Sequence, residues 1–320
     1  MDKFLSCDWG TSSFRLRLVQ TADHTILKEK VSGQGIAKTF QSWRNSGRPE
    51  DERISFYLAI IHAQVQEFER ALDSLSTTPL ILSGMVGSSI GMMNLPYKEV
   101  PLSVDGSDLI IKKLEPSEVL NANVLLVSGA RTADDVMRGE ETQLVGCSHN
   151  NEKIGQSLYI FPGTHSKHIV VESDKAVSFK TYMTGEFFKL LSTKSILSVS
   201  VEEGSGMMDE KNKRSFENGI EESVKTNLLH SSFQVRTNQL FNKLSKEENY
   251  YFLSGLLIGA EVRELINAHY KRIVLVTTKR LGQFYEAAIR MLNPETLVEM
   301  EDADKALIRG QFRILKRYFN

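Results

Sequence analysis

Asp8-Trp9-Gly10-Thr11-Ser12-Ser13-Phe14-Arg15 is the stretch on which the fold turns. The apolar run Phe4-Leu5-Ser6-Cys7 leads into it and stops at Gly10, and Phe14 to Val19 then alternates apolar residues with Arg15 and Arg17. This pattern predicts two strands joined by a polar Gly-Thr-Ser-Ser turn. Glycine allows close backbone approach, and exposed N–H groups with small hydroxyls make a concavity suited to phosphate oxygens. A carboxylate at the strand end, immediately before such a turn, suits Mg²⁺ held between protein and phosphate. Taken alone, Asp8 reads better as a side chain that caps the turn.

The unit recurs. Leu158-Tyr159-Ile160-Phe161 runs into Pro162-Gly163-Thr164-His165-Ser166-Lys167, after which His168-Ile169-Val170-Val171 resumes as a strand. Two turns of this kind suggest two halves gripping a polyphosphate. Between them, Ile54, Leu58, Ile61, Val65, Phe68, Leu72 and Leu75 recur at the spacing of one helix face. Leu80-Ile81-Leu82 and Val124-Leu125-Leu126-Val127 read as buried strands. Alternating strands and helices predict an α/β architecture with partly parallel sheets. The polar stretch Ser148–Lys153 marks the expected boundary, giving domains 1–150 and 151–320, and the charged segment 202–215 reads as a surface excursion.

Composition narrows the function. The chain has 320 residues, 39 Lys and Arg against 40 Asp and Glu, a net charge of −1, and two cysteines. Near-neutrality gives no pull toward nucleic acid or an anionic membrane, and favours small ligands. Two cysteines make neither a disulfide framework nor a four-cysteine zinc site. With no apolar run long enough for a membrane helix and no signal-peptide pattern, a cytoplasmic protein is expected. Gly84 to Gly91 lacks the Gly-x-Gly-x-x-Gly spacing of a nicotinamide site, and Gly33 to Thr39 lacks the glycine before lysine of a P-loop. His165 and His168 have no evident third ligand for zinc.

Asp135-Val136-Met137-Arg138-Gly139-Glu140-Glu141-Thr142-Gln143-Leu144-Val145-Gly146 places two acids at a predicted helix start. They suit the helix dipole, and one of them suits a general base. Neighbours on a helix point at least a quarter-turn apart, so one of the two is expected to face substrate, with Glu140 preferred and Glu141 as alternative.

Together with Ser83-Gly84-Met85-Val86-Gly87-Ser88, Met183-Thr184-Gly185-Glu186 and Phe252-Leu253-Ser254-Gly255-Leu256-Leu257-Ile258-Gly259-Ala260-Glu261, these blocks resemble the 2-dehydro-3-deoxygalactonokinase family, in the family's order, from residue 8 to about 261. The resemblance implies two ribonuclease-H-like (actin-like ATPase) domains around a cleft, ATP with Mg²⁺, and transfer of the γ-phosphate to the 6-hydroxyl of 2-dehydro-3-deoxy-D-galactonate. It implies that Asp8 positions the metal and that Gly10, Thr11 and Ser12 form one phosphate turn. Gly163, Thr164 and His165 form the other, with Lys167 and Gly255 on the nucleotide side. Ser83, Gly84, Met85, Arg138 and Glu186 fall to the sugar, and Glu140 stands where glycerol-kinase-like relatives carry a catalytic Asp. Arg15, Arg138 and Lys167 are the cations open to the substrate carboxylate. Loops at Gly84 and Gly255 are expected to accommodate closure. Thr277 and Thr278 replace a glycine pair that meets adenosine in related kinases, and their Cβ atoms are expected to crowd a purine. A phosphatase of the same fold acting on polyphosphate or guanosine tetraphosphate, and a non-catalytic sugar-acid sensor, are the alternatives. Neither the galactonate or gluconate epimer nor assembly into homo-oligomers is legible.

Overall fold

The computed structural model describes residues 1–70, 74–147, 155–268 and 270–319, so the expected boundary at Ser148–Lys153 and the helix-face residue Leu72 lie outside the described residues. The chain forms two α/β units. One comprises Met1–Asn151, Asp174–Ser178 and Ala303–Asn320; the other comprises Glu152–Ser173 and Phe179–Asp302. The division at residue 150 read from the sequence therefore differs in two places: the short segment Asp174–Ser178, which holds the start of a strand of the second sheet, and the C-terminal helix both return to the first unit.

The first unit starts with β1 (Lys3–Trp9), β2 (Phe14–Gln20) and β3 (Ile26–Ser32), followed by α1 (Ile36–Asn45) and α2 (Arg53–Glu69). Then come β4 (Leu80–Gly84), the short β5 (Lys98–Glu99) and β6 (Leu102–Ser103), β7 (Ile111–Leu114), β8 (Val124–Val127), β9 (Ala130–Arg131), β10 (Val136–Met137) and α3 (Glu140–Gly146). Its main sheet has the order β3-β2-β1-β4-β8-β7. β1 pairs antiparallel with β2 and parallel with β4, so Asp8 sits opposite both Arg15 and Ser83. Because β1 is central, its apolar residues Phe4, Leu5, Cys7 and Trp9 are buried on both faces. The predicted α2 stripe lies inward through Leu58, Ile61, Val65 and Phe68, each such side chain contributing roughly 1.5–3 kcal/mol of burial.

The second unit repeats the plan. β11 (Ser157–Phe161), β12 (Ser166–Glu172) and β13 (Lys175–Tyr182) precede α4 (Thr184–Lys194), α5 (Glu210–Lys225), α6 (Leu228–Leu240) and α7 (Lys246–Val262). β14 (Arg272–Thr277), α8 (Lys279–Leu292) and β15 (Leu297–Asp302) complete it. Its strand order β15-β14-β11-β12-β13 matches β8-β4-β1-β2-β3 of the first unit, the arrangement of a ribonuclease-H-like sheet. The expected surface excursion at 202–215 is helical from Glu210, where the Asp209 carboxylate accepts from the Lys211 and Asn212 amides.

The helix α9 (Ala303–Phe319) crosses α3 in the first unit. A Cβ on Gly146 would lie 1.7 Å from the Ala306 oxygen, and one on Gly310 would lie 1.9 Å from the Thr142 oxygen, so two glycines set the closeness of this crossing. Among the described residues no helix is long and apolar enough to cross a membrane.

Candidate active site

In the first unit, the turn after β1 is fastened from below. Gly10 N–H donates to the Ser13 carbonyl at 2.9 Å, and the start of α1 takes the turn's own carbonyls, Ile36 N–H to Gly10 at 2.9 Å and Ala37 N–H to Thr11 at 3.1 Å. A side chain at Gly35 would begin 2.4 Å from the Thr11 oxygen, so only glycine lets the helix come this near. With the carbonyls turned to the helix, no described hydrogen bond uses the N–H groups of Thr11 and Ser12. Trp9 anchors the strand end in the core, packed on Phe14 and Tyr57, with its indole N–H donating to the Gln34 carbonyl at 2.8 Å.

Asp8 lies at that strand end among charged neighbours. Burial pushes its carboxyl up to about 6, while Arg15 and Arg17 oppose the shift and Asp304 and Glu140 add to it. Asp304, at the start of α9, binds Arg15 at 2.5 Å and Arg17 at 3.0 Å. Below, the Gln311 amide of α9 donates to the Cys7 carbonyl at 3.0 Å and to the Ser83 hydroxyl at 2.8 Å. Ser83 is thus fully buried with its hydroxyl engaged, which corrects its assignment to the sugar: it belongs to the floor under Asp8.

The two acids at the start of α3 separate into two environments. Both oxygens of Glu141 lie against the Gly139 N–H, at 2.9 and 2.7 Å, and Oε1 also accepts from the Thr142 hydroxyl at 2.9 Å. Glu141 therefore closes the helix start on itself. Its carboxyl is pushed up to about 7, mainly by burial and then by Glu140. A native value above the unfolded one means that the contribution to stability is complete below about pH 4.5 and is lost as pH rises through 7. Between pH 5 and 8 the native chain is expected to lose about 2–3 kcal/mol through this group. Glu141→Gln should flatten that slope in urea unfolding series, and equal slopes in both proteins would reject the account. Glu140 is the neighbour whose charge reaches Asp8.

Gly84, at φ +86°, joins these groups: a Cβ there would stand 3.2 Å from the Asp8 carboxylate, and one on Gly139 would stand 3.6 Å from the Gly84 Cα. Met85 opens the short helical turn Met85–Gly87 and packs partly against the core. Beside this turn lies Arg138. Its guanidinium stacks 4.0 Å from the Tyr97 ring, and one nitrogen donates to the Leu95 carbonyl at 2.9 Å. Nε and Nη1 are buried without a hydrogen-bond partner among the described residues. A buried guanidinium with open donors calls for an anion.

In the second unit, the turn after β11 is fastened in the same manner as the first. Glu186 N–H of α4 donates to the Thr164 carbonyl at 3.0 Å, and a Cβ on Gly185 would stand 2.4 Å from the Gly163 oxygen. His165 Nε2 is 2.6 Å from Glu186 Oε2, and Lys167 Nζ donates to the His165 carbonyl at 3.1 Å. Glu186, expected at the sugar, is thereby brought to the turn after β11. Gly163 and Thr164 line a cavity of about 420 Å³ with Gly185, Phe188, Tyr250, Leu257, Phe284 and Thr278 among its walls. Its apolar lining with a turn at one end suits a nucleoside and its phosphates. Gly255 is not a loop residue: it lies within α7, where a Cβ would stand 2.0 Å from the Phe216 oxygen, and its neighbour Ser254 meets the cavity instead. Of the two threonines expected to crowd a purine, Thr277 turns inward toward Gly282 and is 6% exposed, leaving Thr278 at the wall.

The family model described as 2-keto-3-deoxy-galactonokinase matches residues 8–314. The chain belongs to this family. A 2-dehydro-3-deoxygalactonokinase of Escherichia coli K12 is 31% identical over 317 residues, covering 96% of this chain and 97% of the relative. A protein of Rhizobium meliloti 1021 named as a probable enzyme of the same kind is 29% identical over 319 residues, covering 96% of this chain and 94% of that protein. A crystal structure from Sinorhizobium meliloti assigned to the same activity superposes with a TM-score of 0.77 at 27% identity, covering 98% of this chain and 96% of that one. The galactonokinase-family motifs, which include Gly163, Thr164, Gly185 and Leu257 of the cavity, are visible in the sequence, whereas Asp304, Gln311, Arg17 and the cavity residues Phe188, Tyr250 and Phe284 carry no motif. Their only sequence signal is the alternation of β2 for Arg17 and the amphipathic pattern of the helices that bear the others.

Proposed function

We propose that the chain is an ATP-dependent kinase that phosphorylates the 6-hydroxyl of 2-dehydro-3-deoxy-D-galactonate. The observation that carries this reading is Arg138, whose buried and open guanidinium nitrogens match a sugar acid rather than a neutral sugar. Arg15 is already paired with Asp304, and Lys167 is bonded to the His165 carbonyl, which favours Arg138 for the substrate carboxylate.

In this reading Glu140 takes the proton from the attacking hydroxyl, while the N–H groups of the turns hold phosphate oxygens. Among the described residues no group of three or more His, Cys, Asp or Glu could enclose a metal. Mg²⁺ in phosphoryl transfer needs no such cage, since one or two carboxylates and the phosphates suffice, and Asp8 beside the first turn fits that role. When bound, the metal neutralises charge on the phosphates. Asp8→Asn is expected to raise the Mg²⁺ concentration for half-maximal turnover by roughly 10–100-fold; an unmoved metal dependence would remove Asp8 from the role.

The deciding assay measures ADP release across a panel of keto-deoxy aldonic acids. Sugar-dependent ADP formation supports the kinase. Phosphate loss from ATP or polyphosphate without sugar would favour the phosphatase, and ligand binding with no ADP would favour a sensor.

A further inference from the structure

The second phosphate turn is the first link of a buried polar chain. Gly163 N–H donates to Ser166 Oγ at 3.3 Å, and the hydroxyls of Ser166 and Tyr285 are 3.0 Å apart. The Tyr285 hydroxyl donates to Glu261 Oε2 at 2.7 Å, and His168 Nε2 lies 2.9 Å from Glu261 Oε1. The four side chains come from β12, α7 and α8, and are 0% (Ser166), 2% (Tyr285), 3% (Glu261) and 6% (His168) exposed.

Donor bookkeeping gives this chain one direction. A carboxylate only accepts, so the Tyr285 hydroxyl and the His168 Nε2–H both donate hydrogen bonds to Glu261. Tyr285 then has only its oxygen lone pairs left, so Ser166 must donate to it. Ser166 in turn has only lone pairs left, and these receive the Gly163 N–H. Each hydroxyl rotor is thus fixed by the acid at the far end. In a water-poor interior such a chain is stiff, since breaking any link leaves a buried polar group unmet.

We propose that Glu261, acting through Tyr285 and Ser166, is the positioning group of the second phosphate turn. It holds the Gly163 N–H inward and so sets the backbone whose next N–H groups, at Thr164 and His165, meet nucleotide phosphate. Tyr285 also lines the cavity, so the chain reaches from the protein interior to the nucleotide wall. The inference rests on the reading of this turn as an ATP site.

The test uses the full chain and ATP itself, with affinity measured by calorimetry in the absence of sugar acid and with KM values for both substrates. Ser166→Ala and Tyr285→Phe are each expected to weaken ATP binding by roughly tenfold, about the effect of one lost buried hydrogen bond, with the KM for the sugar acid unmoved. The double variant should be no weaker than the weaker single variant, because one break already uncouples the turn. Glu261→Gln, which keeps an acceptor for Tyr285, should retain tighter ATP binding than Tyr285→Phe. Thermal unfolding that falls while ATP affinity stays within twofold would overturn the proposal, as would fully additive losses in the double variant. If Tyr285→Phe does not fold, Ser166→Ala alone decides by the same criterion. A chain that binds ATP with this dependence but phosphorylates no sugar acid would end the kinase reading and leave the positioning role standing. Intact sugar-dependent turnover with ATP affinity indifferent to both variants would do the reverse.

Discussion

Glu140→Gln is expected to lower kcat by about 10²-fold or more, the range for loss of a general base, with the KM for sugar acid changed less than about threefold. The expectation follows from how the start of α3 divides its two acids. Glu141 is fully buried and spends both oxygens on the Gly139 N–H and the Thr142 hydroxyl, so its carboxylate is committed to holding the helix start. Glu140 lies one residue away, with its charge felt at Asp8. The amide introduced by this substitution would keep the shape and hydrogen-bonding reach of the side chain while removing its basicity. Steady-state ADP release at saturating ATP and sugar acid is the measurement. Near-normal turnover in Glu140→Gln together with an inactive Glu141→Gln would move the base to the neighbour.

Arg138→Met is expected to act on a different step. Methionine keeps much of the apolar stem over Tyr97 and removes the cation, so the loss should fall on recognition of the substrate carboxylate. Truncating one partner of a buried charge pair costs about 2–5 kcal/mol, which corresponds to roughly 30- to 5,000-fold in kcat/KM for the sugar acid. ATP affinity should stay where it is. The sharper measure is the preference for the acid over its neutral amide analogue, which should be large in the native chain and close to unity in the variant. An unchanged preference would show that Arg138 serves only its contacts to Tyr97 and the Leu95 carbonyl, and would return the search to other cations.

What was legible in the sequence was local. The strand–turn–strand units around Gly10 and Gly163 and the buried face of α2 depend on residues a few positions apart, so periodicity and turn chemistry reveal them. What escaped depends on pairings across long stretches of chain. Gln311 reaches the Cys7 carbonyl and Asp304 reaches Arg15 across nearly the whole chain, and no local pattern announces either. Gly255 was misread for a related reason. Glycine at a loop and glycine at a helix crossing look alike in sequence, and only the Phe216 backbone opposite separates them. Ser83 sits inside a recognisable motif, yet motif membership does not tell a lining residue from one buried a layer below.

The return of α9 also bears on how the protein is made. Synthesis delivers β1 through α3 early, but the helix that fills the space beneath Asp8 follows only after the entire second sheet. Until then the nascent first unit lacks the Gln311 bridge and the Asp304 counter-charge for Arg15 and Arg17. Its α3 face likewise waits for Gly310. Such long-separation contacts slow folding and prolong exposure of apolar surface. A chain shortened before α9 thus loses the support of the strand that carries Asp8 rather than a dispensable tail, and a premature stop there would act as a lesion some three hundred residues upstream in sequence.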